Sequence, residues 1–138
     1  MDLFFHHVGV LVKNIAEASL NYRRLGYRPA TEVVHDTVQT AHVQFFRLAG
    51  DDAYLELVAP DDTDSKLANA LRKGGGLHHV CYSTADIEGG CEELSTAGWF
   101  VIAPPTPAVA FGGRRIAWLR GADRMLIELV EAGSDGAL

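Results

Sequence analysis

Hydrophobic and polar residues alternate at the start of the chain and then change to a helical spacing. In residues 7–13 every second residue is a valine, and this period of two predicts a β-strand with two unlike faces. Apolar residues recur at helical spacing over residues 15–25, with Asn14 placed to cap the segment and Gly26 placed to end it. The pattern predicts a strand followed by a helix.

The same pattern occurs a second time, because the sequence resembles itself at a shift of 72 residues without a gap. The shift superposes identical residues, which are His7 and His79, Val8 and Val80, Ile15 and Ile87, Gly26 and Gly98, Glu56 and Glu128, Leu57 and Leu129, and Val58 and Val130. It also aligns Asn14 with Asp86 and Phe46 with Trp118. Three strands follow the helix in each half, at about 28–35, 40–48 and 53–58, and at about 99–103, 114–119 and 125–131. Each half is therefore predicted to be a βαβββ module.

The two modules predict a single domain of the α+β class. Module one spans residues 4–60, a linker with a short helix spans 61–76, and module two spans 77–132. The run of prolines at 104–107 predicts a stiff loop in the second module. Gly89 and Gly90 weaken the prediction of the second helix, because glycine is a poor helix former.

Composition narrows the classes of protein. The chain has 138 residues, 48% of them hydrophobic, which is enough for one well-packed core. A net charge of −6 argues against nucleic acid or an anionic membrane as a partner. No apolar run is long enough to span a bilayer, and two cysteines are too few for a disulfide scaffold. We expect a cytoplasmic, soluble protein with free thiols.

Four repeated polar residues form the candidate site, because they interrupt strands that should be apolar. In each half a glutamate stands between leucine or isoleucine neighbours and so points away from the helix-covered face. The histidines share that face, which places His7, Glu56, His79 and Glu128 on one inner surface. Two imidazoles and two carboxylates suit a divalent ion such as Co, Ni, Mn, Zn or Fe. We therefore expect the modules to form a partly closed sheet around a metal-binding cavity.

Each of the four residues taken alone has an ordinary explanation, as a hydrogen-bonded strand histidine or an edge glutamate. The ordinary explanations do not account for the recurrence of all four residues at one sequence shift, so the recurrence favours a shared metal site. His6 and His78 repeat at the same shift but lie on the opposite strand face, so a supporting or structural role is expected for them.

The two halves resemble the vicinal oxygen chelate superfamily, which includes glyoxalase I, methylmalonyl-CoA epimerase, extradiol dioxygenases and drug resistance proteins. The resemblance covers nearly the whole chain and places His7, Glu56, His79 and Glu128 on the metal-ligand positions. The stretch from Ser65 to Ala68, the sequence Gly-Leu-His-His at 76–79 and the glycine pair before Arg114 are most similar to the epimerase branch.

The resemblance implies removal of a proton next to a carbonyl, with an enolate stabilised by the metal. Glu128 is the first candidate for the base and Glu56 the second. The epimerase branch can carry a further acidic base on the third strand, where this chain has Val43 and Gln44. Gln44 cannot act as a base, so it is either a hydrogen-bond donor to a substrate carbonyl or an ordinary strand residue.

Other residues give weaker indications of the substrate. Arg115, after a glycine turn, is a candidate for binding a carboxylate or phosphate, although such arginines are commonly just solvated. The leading hypothesis is an epimerase or isomerase acting on a small carbonyl compound, with an acyl-CoA thioester as one candidate. The alternatives are a glyoxalase-like lyase on a thiol adduct and a protein that binds a drug or metabolite. We expect a homodimer, because each module exposes a concave half-sheet.

Overall fold

Strands make up most of the regular structure, and the mixed α+β class predicted from the sequence is confirmed. The computed structural model describes residues 1–138. The elements in chain order are β1 (Phe4–Leu11), α1 (Ile15–Arg24), β2 (Arg28–Pro29), β3 (Val34–Asp36), β4 (Ala41–Arg47), β5 (Tyr54–Pro60), α2 (Ala68–Arg72), β6 (Gly76–Thr84), α3 (Ile87–Thr96), β7 (Phe100–Pro107), a 3₁₀ turn (Val109–Phe111), β8 (Arg115–Arg120) and β9 (Leu126–Glu131). None of the three helices has the length and apolarity needed to cross a membrane.

The chain divides into a first unit of residues 7–78 and a second unit of residues 1–6 and 79–138. In the first unit β1 runs parallel to β5, β5 pairs antiparallel with β4, and β4 pairs antiparallel with β2 and β3. Helix α1 covers one face of these strands. The hydrophobic core between the helix and the strands is formed by Ile15, Phe46, Leu55, Leu57 and Ala59.

The second unit repeats this plan. Strand β6 runs parallel to β9, β9 pairs antiparallel with β8, and β8 pairs antiparallel with β7. Helix α3 packs on one face, with a core of Ile87, Cys91, Ala117, Leu119, Ile127 and Leu129. In both units the residues that alternate with the core leucines face away from the helix.

The structure confirms the predicted capping residues and helix-ending glycines of both helices. The side chain of Asn14 accepts a hydrogen bond of 2.9 Å from the backbone N–H of Glu17, and Asp86 accepts one of 3.0 Å from Gly89. These bonds satisfy backbone N–H groups that lack a partner within the helix. Past the C-terminal end of each helix, Gly26 and Gly98 have φ angles of +107° and +100°, a conformation that favours glycine.

The glycine pair at the start of α3 has a packing reason. A Cβ atom on Gly89 would lie 2.2 Å from Oδ2 of Asp86, so a larger residue at this position would require the carboxylate to turn. A Cβ atom on Gly90 would lie 3.4 Å from a methyl group of Leu129. The two glycines lower the intrinsic helix propensity, but Gly89 leaves room for the Asp86 carboxylate in its present orientation and Gly90 allows α3 to approach the sheet closely.

The prediction of a loop at residues 104–107 is wrong, because these residues belong to β7. Strand β7 pairs with β8 on one side, and its register shifts twice, between Val101 and Ala103 and between Ala103 and Thr106. Proline has no N–H to donate, and it is tolerated in strands at edges and bulges. The prolines of β7 lie in such a strand.

The strand predicted at 28–35 is interrupted in the structure, which has two short strands in this region, β2 and β3. The interruption coincides with Thr31, whose hydroxyl accepts a hydrogen bond of 3.1 Å from the backbone N–H of Phe45. A side chain thus takes a position that a backbone carbonyl would hold in a continuous ladder.

Candidate functional site

The first unit brings His7 and Glu56 together on the face of its sheet that α1 does not cover. Glu56 lies between Leu55 and Leu57, whose side chains pack into the α1 core, so its own side chain points to the other face. The parallel register pairs Gly9 of β1 with Glu56 of β5, and His7 shares the face of Gly9. The His7 Nε2 atom lies 3.4 Å from Glu56 Oε1, and the two side chains are 0% and 8% exposed.

The second unit holds an equivalent pair, His79 and Glu128. Glu128 lies between the core residues Ile127 and Leu129, and the parallel register pairs it with Cys81, two residues after His79. The His79 Nε2 atom lies 4.0 Å from Glu128 Oε1, and both side chains are buried, at 2% and 5% exposure. Each unit therefore holds one imidazole and one carboxylate at corresponding positions of its fold.

An aromatic ring packs edge-on against each histidine. Phe45 lies directly across from Glu56 in β4, and its ring centre is 5.1 Å from that of His7 at an interplanar angle of 80°. Trp118 lies directly across from Glu128 in β8, and its ring centre is 4.8 Å from that of His79 at 85°. The structural counterpart of Trp118 is thus Phe45, not the Phe46 that the sequence shift aligns with it.

The donor atoms of both pairs are of types that bind divalent metal ions, and those of His7 and Glu56 also have a suitable separation. A carboxylate buried in an apolar interior is costly unless a hydrogen bond, an opposite charge or a metal compensates it. Two ligands about 2.1 Å from one ion are about 3.0 to 3.4 Å apart when they occupy neighbouring octahedral or tetrahedral positions, and the 3.4 Å between His7 and Glu56 lies in this range. Nitrogen and oxygen donors together suit zinc, cobalt, nickel, manganese and iron.

Gln44 is not brought to the site. It lies across from Leu57 in the antiparallel register, so it shares the α1 face of the sheet and points away from the face of Glu56. Its side-chain amide donates a hydrogen bond of 2.9 Å to the carbonyl of Thr31. This contact is the role of an ordinary polar strand residue, which was one of the two expectations for Gln44.

Arg115 is engaged within the second unit by two carboxylates. Its guanidinium donates to Glu131 Oε2 at 2.9 Å and to Glu88 Oε1 at 2.6 Å, and its backbone N–H donates to Glu131 Oε1 at 2.7 Å. These hydrogen bonds hold the pKa of Glu131 below its usual range and raise the pKa of Arg115 above its own. The structure therefore shows Arg115 fastening β8 to β9 and α3.

His6 and Arg114, which the sequence also pointed to, both have partners within the second unit. His6 is buried in the second unit, where its ring centre lies 5.5 Å from that of Phe111. Arg114 donates a hydrogen bond of 2.9 Å to the carbonyl of Glu131 and another to the carbonyl of Leu138. The glycine turn before Arg114 was a signal for a functional arginine, but the partners of Arg114 in the structure are backbone carbonyls.

The chain is similar to known proteins in sequence and in fold. The sequence profile described as "Glyoxalase/Bleomycin resistance protein/Dioxygenase superfamily" matches residues 6–118. An ethylmalonyl-CoA/methylmalonyl-CoA epimerase of Cereibacter sphaeroides is 30% identical over 124 residues, which cover 86% of this chain and 88% of the relative. A lactoylglutathione lyase of Pseudomonas aeruginosa is 26% identical over 92 residues, covering 64% of this chain and 50% of that protein.

Among solved structures, methylmalonyl-CoA epimerase from Mycobacterium tuberculosis matches with a TM-score of 0.83 and 25% identity. The match covers 94% of this chain and 88% of that one. The relatives are thus enzymes of the epimerase and lyase type.

Proposed function

This chain belongs to the glyoxalase/bleomycin resistance protein/dioxygenase superfamily, and we propose that it is a metal-dependent epimerase acting next to the carbonyl of an acyl-CoA thioester. The observation that carries the proposal is the buried histidine–glutamate pair that recurs in both units, as His7 with Glu56 and His79 with Glu128. The substrate class rests on the Cereibacter relative, which is named as an ethylmalonyl-CoA/methylmalonyl-CoA epimerase.

We propose that His7, Glu56, His79 and Glu128 are ligands of one divalent ion. Two lines support this set. The four residues recur at one sequence shift, and all four are buried although their types are usually exposed or intermediate. Two carboxylates would also neutralise the charge of a dication. When bound, the ion would supply positive charge that stabilises the negative oxygen of an enolate.

In the proposed reaction Glu128 takes the proton from the carbon next to the thioester carbonyl. The electron pair of the broken C–H bond moves into the carbonyl and gives the enolate. Glu128 is buried beside His79, which keeps its carboxylate away from bulk solvent, and as a metal ligand it would leave the ion to take the proton. The edge-on contact between Trp118 and His79 orients the imidazole beside it.

Epimerisation requires a proton to return to the opposite face of the same carbon. We propose that Glu56, after taking up a proton from solvent, returns it to the carbon as the acid, and that Glu128 releases its own proton to solvent. Gln44 lies on the other side of the sheet and Val43 has no titratable group. In the reverse reaction Glu56 removes the proton and Glu128 returns one, so a proton can be removed from either face of the substrate.

Turnover with and without metal tests the proposal. Purified protein is treated with a chelator, dialysed and reloaded with Co²⁺, Mn²⁺ or Zn²⁺, and conversion of one epimer of methylmalonyl-CoA into the other is followed by chiral analysis. The proposal expects turnover only after reloading. Turnover of lactoylglutathione with no epimerisation would favour the lyase activity that the Pseudomonas relative is named for, and equal turnover after chelation would contradict a metal-dependent reaction.

A further inference from the structure

A second group of metal-ligating side chains lies in the first unit, on the hairpin formed by β3 and β4. His35 of β3 and His42 of β4 are directly opposite each other in the antiparallel register. Their ring centres are 4.6 Å apart and the rings are tilted by 38°. The carboxylate of Asp61, which follows β5, lies 2.9 Å from His35 Nε2.

The Asp61 contact determines which nitrogen of His35 can bind a ligand. An ionised carboxylate only accepts hydrogen bonds, so the proton lies on Nε2 and the lone pair of the neutral ring lies on Nδ1. Histidines that bind metals commonly donate their other N–H to a carboxylate in this manner. The Asp61 side chain is only 16% exposed, whereas that of His35 is 49% exposed and open to an ion from solvent.

We propose that His35 and His42 form a surface binding site for a transition-metal ion of the nickel, copper or zinc type, with Asp61 orienting His35. An ion about 2.1 Å from a ring nitrogen lies about 3.2 Å from the ring centre, so two neighbouring imidazoles on one ion have centres about 4.5 to 5 Å apart. The observed 4.6 Å falls in this range. Water completes the coordination shell.

This site is separate from the proposed catalytic residues of the same unit. His42 and Gln44 share one face of β4, while Phe45 and Glu56 share the other. An ion on His35 and His42 would therefore lie on the opposite face of the sheet from His7 and Glu56. Imidazole ligands suit nickel, copper and zinc, and the site has no thiolate that would restrict it to softer ions.

Equilibrium dialysis against Ni²⁺ tests the proposal, using full-length protein without a histidine tag. Bound nickel is counted by atomic absorption for the wild type and for His42→Gln, Asp61→Asn and Asp52→Asn. We expect His42→Gln to bind one ion fewer than the wild type at saturation. We expect Asp61→Asn to weaken that ion about tenfold or more, in line with loss of a carboxylate that orients a ligand. Asp52→Asn removes an exposed carboxylate from the turn between β4 and β5, at the opposite end of these strands from His42, and is expected to change neither the number nor the affinity of bound ions.

His79→Gln separates this site from the proposed catalytic metal. It is expected to retain the nickel ion that His42→Gln loses, and circular dichroism checks that each variant is folded. Equal nickel stoichiometry in the wild type and in folded His42→Gln would overturn the site. Unchanged affinity in Asp61→Asn would contradict the role given to the carboxylate. Neither result depends on whether the protein is an epimerase.

Discussion

His79 packs edge-on against Trp118, with ring centres 4.8 Å apart and ring planes at 85°. Such contacts place the positive edge of one ring against the negative face of another and favour one relative orientation. Because Trp118 lies directly across from Glu128, the contact holds the imidazole on the face where the carboxylate lies. Phe45 makes the corresponding contact with His7 in the first unit.

Replacement of Trp118 tests this orienting role. An edge-on aromatic contact is worth about 0.5 to 1.5 kcal/mol, so Trp118→Leu is expected to weaken metal binding about two- to tenfold. Trp118→Phe keeps an aromatic ring and is expected to bind the metal nearly as the wild type does. Isothermal titration with Co²⁺ measures both. Equal losses in the two variants would show that bulk, not aromatic contact, matters at this position.

Removal of the α3 cap is expected to destabilise the protein. Asp86→Ala deletes the acceptor for the Gly89 N–H, and loss of such a cap costs about 1 kcal/mol. Asp86→Asn retains an acceptor oxygen and is expected to lose only a small part of the stabilisation that the cap provides. The free energy of unfolding from urea denaturation measures the difference. Identical midpoints for wild type and Asp86→Ala would contradict the cap.

Gly89→Ala is expected to destabilise the protein, although alanine is the better helix former by about 1 kcal/mol. The added Cβ would lie 2.2 Å from Asp86 Oδ2, so the carboxylate must turn and its capping hydrogen bond is expected to weaken. In the Asp86→Ala background the collision is absent, so the same substitution is expected to be stabilising. Urea unfolding of the wild type, the two single variants and the double variant gives the interaction free energy between positions 86 and 89. Stabilisation by Gly89→Ala in both backgrounds would show that no such collision occurs.

The ion pair between Arg115 and Glu131 predicts a pH dependence of stability. Because Arg115 holds the pKa of Glu131 below its usual range in the folded state, the unfolded chain binds the proton more readily. The contribution of the pair is therefore full at neutral pH and is lost as the pH falls through the acidic range below the ordinary carboxyl pKa. Wild type and Glu131→Gln, both treated with a chelator to remove bound metal, are compared by urea unfolding between neutral and acidic pH. The free energy of unfolding of the wild type is expected to approach that of Glu131→Gln as the pH falls. A difference between them that does not change with pH would contradict this prediction.

The internal repeat explains why much of the structure could be predicted. Capping residues, helix-ending glycines and the burial of His7 and His79 all follow from local patterns that occur twice. Local patterns do not determine which residues pair across a hairpin. Ten residues separate Trp118 from its partner Glu128, but eleven separate Phe45 from Glu56, so the sequence shift selects the wrong phenylalanine.

Contacts between distant segments account for the other differences. Arg115 was a candidate for substrate binding because it follows a glycine turn. Its partners in the structure, Glu88 and Glu131, lie 27 and 16 residues away in the sequence, so the local pattern does not reveal them. His35 and His42 face each other only because the β3–β4 hairpin sets their register, and Asp61 reaches them from the end of another strand. The prolines of β7 indicate a loop until the pairing of that strand is known.

Exchange of the substrate α-proton with solvent tests the proposed epimerase most directly. Methylmalonyl-CoA is incubated in deuterated water with metal-loaded protein, and loss of the α-proton signal is followed by NMR for the wild type, Glu128→Gln and the exposed control Glu92→Gln. Glu128→Gln keeps the size of the side chain and removes its basicity. We expect exchange in the wild type and in Glu92→Gln, and at least a hundredfold slower exchange in Glu128→Gln, since a positioned base contributes about 10² to 10⁴ in rate. Exchange at the wild-type rate in metal-loaded, folded Glu128→Gln, or no exchange in the metal-loaded wild type, would contradict the account.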